Sequence, residues 1–326
     1  MRLIRDTNFD FMSKRYYAFA FSLAIIVPGL ISMMAHRGLN LGVDFTGGVQ
    51  VEVQLLAKSG AEAAIEGVRE AVGQAGYDNR TIQKAGGGEI NDFLIHVQGD
   101  KATSASTANA NDVSGSKHIS EAIMDKLKAR FPEFDVQLRQ VQEVGPKVGA
   151  ELRFAALQAV LLSILLVMVY VAWRFEFRFG VTTIVAAGHD VFFVLGLFSL
   201  LNKEMTLTAI AAFLTLVGYS VNDTIVVFDR IREELKAKQK REPYEKIFND
   251  AINKTLSRTI LTGVTTLIVL GSLYFAGGDV IHDFAWVLLV GIFVGTYSSI
   301  FVAAPLVVEW NKRAEARELA KTQRAA

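Results

Sequence analysis

Three ionisable residues stand in places where a chain seldom carries them. Asp190 follows His189 inside an apolar stretch, Asp223 lies in the run L-T-L-V-G-Y-S-V-N-D-T-I-V-V-F at 214–228, and Arg258 opens another apolar stretch at 260–276. On insertion scales an ionisable side chain in hydrocarbon costs about 2.5–3.5 kcal/mol, so such residues are rare and usually functional. A carboxylic acid in a low-dielectric interior keeps its proton toward neutral pH, and a nearby guanidinium tunes its release. The chemistry indicated is proton binding and release within a membrane, with Asp223, Arg258 and Asp190 as coupling groups. Asn222, Ser220, Thr262, Thr265 and Thr266 are the polar side chains expected to share that interior. Each has a plainer alternative: an interhelical polar contact for Asp223 and Asp190, a side chain snorkelling to the interface for Arg258, a packed ring for His189. The cluster Asp229, Arg230, Arg232 and Glu233 reads as a solvated helix end.

These residues need spanning helices to hold them. The chain has 326 residues, 51% of them hydrophobic, with 34 Lys and Arg against 33 Asp and Glu. That average is close to the soluble norm, but its distribution is not. Six apolar runs, 16–35, 152–173, 181–201, 206–228, 260–276 and 284–308, each approach the length that crosses a bilayer as a helix. The first is too long for a signal-peptide core and is followed by His36-Arg37, so it reads as a span although Arg2, Arg5, Lys14 and Arg15 precede it. Basic residues stay on the cytoplasmic side. The N-terminal segment 1–15, the turn with Arg174 and Arg178, the loop 229–258 with Arg230, Arg232, Lys236, Lys238, Lys240 and Arg241, and the tail 309–326 with Lys312, Arg313 and Arg317 then all lie inside. Both termini are expected in the cytoplasm. The opposite connections, 201–205 and 277–283, carry little basic charge beyond Lys203. Asp223 sits about 10 Å before Arg230 along its helix, and Arg258 enters the bilayer from the same side, so the two are placed to pair.

Residues 38–148 form the one long insertion, an outer domain between the first and second spans. The order strand 49–55, helix 61–75, strands 80–84 and 92–98, helix 119–131 and strand 135–144 predicts a small α+β, ferredoxin-like sandwich. The Ala/Ser/Thr/Asn-rich stretch 101–117 reads as a loop and the glycines at 86–88 as a hairpin turn. Gly47-Gly48 marks a tight turn with positive φ or a hinge between span and domain. The membrane part, 152–308, is a five-helix unit whose last span carries Gly291, Gly295 and Ser298-Ser299 as a close-packing face. With no Cys, a disulfide framework and a cysteine nucleophile are excluded, and a net charge of +1 argues against a nucleic-acid binder. No phosphate loop, metal cluster or nucleophile–base pair stands out, so no cofactor, metal or enzymatic step is expected.

Several motifs together resemble the SecF family, the smaller subunits of bacterial SecDF protein-export complexes. They are F-D-F-M-S-K-R before the first span, G-V-D-F-T-G-G after it, V-G-P-K-V-G-A-E-L before the second and W-R-F-E-F-R-F at the next turn. H-D in the third span, G-Y-S-V-N-D-T-I-V-V-F-D-R-I-R-E in the fourth and S-R-T-I-L-T-G-V-T-T opening the fifth complete the set. The resemblance implies an inner-membrane protein, half of an assembly like the resistance–nodulation–division transporters, obligately paired with SecD. It also implies work alongside the SecYEG channel, with YajC as a further partner, using the proton-motive force to assist preproteins. By position, Asp223 would be the acid of the proton route and Arg258 its basic partner. Two rival readings remain open at this stage: half of a proton-driven small-molecule or lipid exporter, and a proton-independent scaffold of a membrane complex.

Overall fold

Why the chain divides into two parts is visible in its helix boundaries. The computed structural model describes residues 7–36, 38–57, 63–77, 80–84, 91–97, 114–238 and 242–325. Arg2, Arg5, Arg37, Lys240, Arg241, the glycines at 86–88 and the stretch 98–113 lie outside the described residues. Six helices are long and apolar enough to cross a membrane. They are α1 (Arg15–Ala35), α5 (Pro146–Arg174), α6 (Phe177–Leu200), α7 (Leu207–Lys238), α8 (Tyr244–Ala276) and α9 (Asp279–Ser298), the last continuing through a π-helical turn (Ser299–Ala303) into α10 (Ala304–Ala325). Pro146 starts α5 at a position where the missing N–H removes nothing from the helix ladder.

The spans extend well past their apolar cores. The expected loop 229–258 is largely helical: α7 runs to Lys238 and α8 begins at Tyr244. Ion pairs hold the two charged ends together, Lys254 to Glu234 at 2.6 Å and Lys238 to Asp250 at 2.5 Å, while Arg230 reaches Glu233 and Glu234 at 2.7 and 2.8 Å. The expected tail 309–326 is likewise helical through Ala325, tied back by Arg15–Glu309 at 2.8 Å and by a Lys312–Glu245 pair. Amphipathic helix needs only one apolar stripe, so charge on the other face does not end it. Phe9 and Phe11 join this end through the side chains of Asn253 and Asn249. The N-terminal residues, the α7–α8 connection and α10 therefore share one end of the bundle, the tail end.

The opposite end carries the α+β domain. Short helix α2 (Val43–Thr46) leads into β1 (Gly48–Ala57), α3 (Ile65–Gln74), β2 (Arg80–Lys84), β3 (Asp92–Val97), α4 (Ser114–Arg130) and β4 (Phe134–Val144). The strands pair antiparallel in the order β2-β3-β1-β4, the ferredoxin-like arrangement. α4 begins within the stretch expected to be a loop: 114–117 are helical, since Ser, Gly and Lys carry no apolar period yet continue a helix nucleated at Ile119. One sheet face is packed by α3 and α4 around Val51, Val53, Leu55, Phe93, Ile95, Ile123 and Leu127. The other face carries Gln50, Glu52, Leu94, Gln140 and Gln142 and looks toward the membrane helices across a cleft of about 780 Å³. A register shift between Glu52 and Val53 leaves Arg139 as the extra residue on β4, and its guanidinium donates to Gln54 Oε1 at 2.7 Å.

Candidate functional site: two buried acids and a glycine turn

Asp190, on α6, is fully enclosed by its own chain, at 0% exposed. Three helices converge on its carboxylate. Ser220 of α7 donates to Oδ2 at 2.5 Å, Ser298 of α9 donates to the same oxygen at 2.7 Å, and His189 Nδ1 lies 2.9 Å from Oδ1. A buried carboxylate without such donors would be strongly unfavourable; with them its lone pairs are met inside the bundle. The helices approach closely here, with room for a methyl at Gly295 but not at Gly291 unless Leu216 moves. A Cβ on Gly295 would stand 3.6 Å from Ser220 Cα and 3.7 Å from Asp190 Oδ2, and one on Gly291 would meet Leu216 at 2.6 Å. The small-residue face of α9 is thus a packing face, and it also delivers a hydroxyl to the acid.

Asp223 lies three residues after Ser220, on the same face of α7. It is 6% exposed and accepts from Ser299 Oγ at 3.2 Å. Ser298 and Ser299 are adjacent in sequence, stand where α9 passes into the π turn, and serve different acids. Single π turns inside α-helices recur at functional sites. Thr224 and Thr259 are buried alongside. The pair of acids, three serines and a histidine form one polar core within an apolar bundle.

The remaining residues expected in that interior are elsewhere. Asn222 is exposed on the chain's own surface, as are Arg258, Thr262 and Thr265, with Thr266 partly so. The three threonine hydroxyls turn onto their own helix, to Arg258 O (3.0 Å), Leu261 O (2.9 Å) and Thr262 O (2.9 Å). Among the described residues no ion pair joins Arg258 to Asp223. The reason is helical phase. Thr255, Thr259, Gly263 and Leu270 form the packed stripe of α8, so Arg258, Thr262 and Thr265 fall on its exposed flank, from which the Arg258 charge still acts on Asp223 without an ion-pair contact.

At the domain end, Gly47 and Gly48 have φ of 71° and 127°, and a Cβ on Gly48 would collide with the Val97 carbonyl. Both the turn and the close approach demand glycine. Gly149 of α5 packs against the same turn, where a Cβ would lie 3.0 Å from Gly47 N. His96 Nε2 sits 3.4 Å from Thr46 Oγ1 and 3.5 Å from the Gly47 carbonyl; burial holds this ring below the usual histidine range. Just upstream, Asp44 Oδ2 accepts the Leu207 N–H at 2.9 Å, capping α7 from 163 residues away, while its Oδ1 accepts from Gln142 of β4 at 3.2 Å. Sequence reasoning missed the roles of Ser298, Ser299, His189 and Asp44. The Ser-Ser pair beside Gly295 and the acid inside D-F-T-G-G were the available signals.

Two families match this chain. Residues 123–313 match the family described as protein export membrane protein SecD/SecF, C-terminal, and residues 32–55, which hold the glycine turn, match the SecD/SecF GG motif. A protein translocase subunit SecF from Rhodothermus marinus is 41% identical over 330 residues, covering 99% of this chain and 100% of that relative. One from Desulfurispirillum indicum is 43% identical over 325 residues, with 99% and 98% covered. The crystal structure of SecDF from Thermus thermophilus, titled a translocon-associated membrane protein, aligns with a TM-score of 0.76 at 38% identity, covering 94% of this chain. SecDF in a super-membrane-facing form aligns at 0.68 with 37% identity. This chain spans 39% and 41% of the length of those two SecDF chains.

Proposed function

We propose, for a chain that belongs to the SecD/SecF family of protein-export membrane proteins and within it to SecF, that it is the half-assembly of a proton-coupled protein translocase. It is a membrane protein and a SecF-type translocase subunit. Its partner half is of the SecD type, it works with the SecYEG channel and with YajC on preproteins in the inner membrane, and both termini face the cytoplasm. The orientation is supported by Arg174, Arg178, Arg230, Arg232, Lys312 and Arg313 lying with the N-terminal residues at the tail end, opposite the α+β domain.

The observation that carries the reading is the pair of buried acids, Asp190 and Asp223, joined to one helix junction through Ser298 and Ser299. Protonation gives Asp223 a donor in addition to its acceptors and removes its charge, which weakens the charge-assisted Ser299 contact and favours the competing bond of Ser299 to the Thr296 carbonyl at 3.0 Å beside the π turn. α7 carries that change as a rigid element from Asp223 to Leu207, about 24 Å along its axis. At Leu207 the helix is held by Asp44, one short helix before the Gly47-Gly48 hinge and the outer sheet. A proton can shift such an equilibrium only through different affinity for two states, so Asp223 binds it differently in each. Arg258 acts from the outward face of α8, where the partner half supplies the facing acid. The charged groups set among the apolar ones in the outer cleft, Asp44, Glu52, Arg69, Lys84 and Asp283, weigh against an exporter's apolar substrate pocket.

The test reconstitutes the chain with its SecD-type partner and SecYEG in vesicles and compares proton-gradient-stimulated preprotein export for wild type and Asp223→Asn, with complex assembly checked in parallel. Loss of at least tenfold in stimulation with assembly intact is expected. Unchanged stimulation would make the acid structural and the chain a scaffold.

A further inference from the structure

A third buried acid lies far from the first two. Glu204 sits in the connector between α6 and α7, at the floor of the cleft under the outer sheet, and is 8% exposed. The next residue, Met205, is stitched on both its backbone groups to the segment that leads into α2: Met205 N–H donates to Asn40 O at 2.7 Å, and Gly42 N–H donates to Met205 O at 2.9 Å. The carboxylate is pressed against that segment, for a Cβ on Gly42 would come within 2.8 Å of Glu204 Oε1. The Val43 N–H lies beside the carboxylate, while Oε1 has no hydrogen-bond partner among the described residues.

The charges around it are unfavourable to an anion. Asp44 on α2 and Asp283 on α9 both face it, with His282 beside Asp283. The adjacent cation, Lys203, is committed to Asp283 at 2.6 Å and lies over the Trp286 ring at 5.3 Å. Arg69, Lys84 and Glu52 stand across the cleft on the outer domain. His96 lies on the far side of the α2 turn.

We propose that Glu204 is a separate proton-binding site of this chain, whose protonated form clamps the α2 segment and the outer domain onto the start of α7. The clamp stands whether or not Asp223 carries a proton. Burial, with Asp44 and Asp283 adding to it, pushes Glu204 up to about 7. The sign follows from linkage. A raised folded-state value means that the closed junction binds the proton more tightly than an opened, hydrated one. Closure is therefore complete in acid and is lost as pH rises through about 7. An acidified outer compartment would hold the clamp shut, and a collapsed gradient would release it.

The chain has no cysteine, so two introduced at exposed positions, Lys128 on α4 and Phe275 at the end of α8, label uniquely. Spin-label distances in the full chain in lipid nanodiscs, read between about pH 4.5 and 8 so as to span the ordinary and the raised Glu204 values, should lengthen or broaden as pH rises, both in the otherwise wild-type protein and in a His96→Gln background that removes the ring held low by burial. Glu204→Gln should hold the short distance throughout. Asp283→Asn, which removes a neighbouring anion and frees Lys203, should move the midpoint to lower pH. A distance that ignores pH in the wild type, or the same pH response in Glu204→Gln, overturns the proposal.

Discussion

The interior between α6, α7 and α9 and the outward faces of α5 and α8 are built on opposite terms. In the first, half of the apolar window of α6 and 67% of that of the last span are buried within the chain; in α5 the share is 6% and in α8 17%. The interior satisfies its own polar groups, with Asp190 taking three donors from three residues on three helices. α5 and α8 present Leu161, Leu165, Tyr170, Ile268 and Phe275 outward, and among them Arg258 and a line of threonines. Lipid suits the leucines but not a guanidinium at depth. The polar interior therefore satisfies itself within the chain, whereas the α8 face does not, as the proposed pairing with a second half requires.

That contrast breaks most sharply at Asp190. Asp190→Ala leaves the Ser220 hydroxyl and the His189 ring without their acceptor inside a packed bundle, and Ser298 with only the Gly295 carbonyl of its own helix at 3.1 Å, and a loss of about 3 kcal/mol is expected. A fall in the unfolding midpoint of the purified chain in detergent measures it. An equally large loss on replacing Arg258 by Leu would erase the distinction between the two regions. Next in size is the α1–α6 crossing. Gly29 and Gly196 lie backbone to backbone, and a Cβ on Gly29 would collide with the Gly196 Cα. Gly29→Leu should cost about 1–3 kcal/mol by forcing the helices apart, read in the same assay and as increased protease access to the α1 segment.

Much of this architecture was legible in the residues. The six spans, the ferredoxin-like order and the two intramembrane acids follow from apolar run length, period and the cost of burying charge, which are local properties. What the residues could not carry is azimuth. Thr262, Thr265 and Thr266 were expected beside the acids because they share a span with Arg258, yet the phase of α8 turns Thr262 and Thr265 outward, and the half-buried Thr266 spends its hydroxyl on its own helix. Ser298 and Ser299 were read only as small, and smallness says nothing of whether a hydroxyl is used; their partners on α6 and α7 are 108 and 76 residues away. Asp44 capping α7 and Glu204 under the α2 segment are the same case, contacts that exist only once the outer domain has closed back on the bundle.

A smaller effect separates two groups at the domain end, whose pH responses have opposite signs. His96 is held below its ordinary range by burial. Its neutral form belongs to the closed turn, so the outer domain should lose stability as pH falls below about 6.5, and His96→Gln should flatten that slope in a denaturant series read at fixed pH values. Glu204, raised to about 7, favours closure as pH falls. The Glu204 contribution is full below about 4.5 and is lost as pH rises to about 7, so the two groups oppose each other through the acid range, His96 loosening the junction as pH falls and Glu204 as pH rises.

The smallest effect tests the outward face. Thr262 is exposed and its hydroxyl already bonds the Arg258 carbonyl of its own helix at 3.0 Å. Thr262→Val keeps the shape and removes only that local bond, so the stability of the isolated chain should change by less than about 0.5 kcal/mol. In the complex the same methyl replaces a polar atom at a seam facing the partner's helices, where interhelical hydrogen bonds average about 0.6 kcal/mol. Co-purification yield with the SecD-type partner should therefore fall slightly while the isolated chain is unmoved. A change in the isolated chain with none in the complex would mean that α8 faces lipid, and that Arg258 lacks the partner its exposure requires.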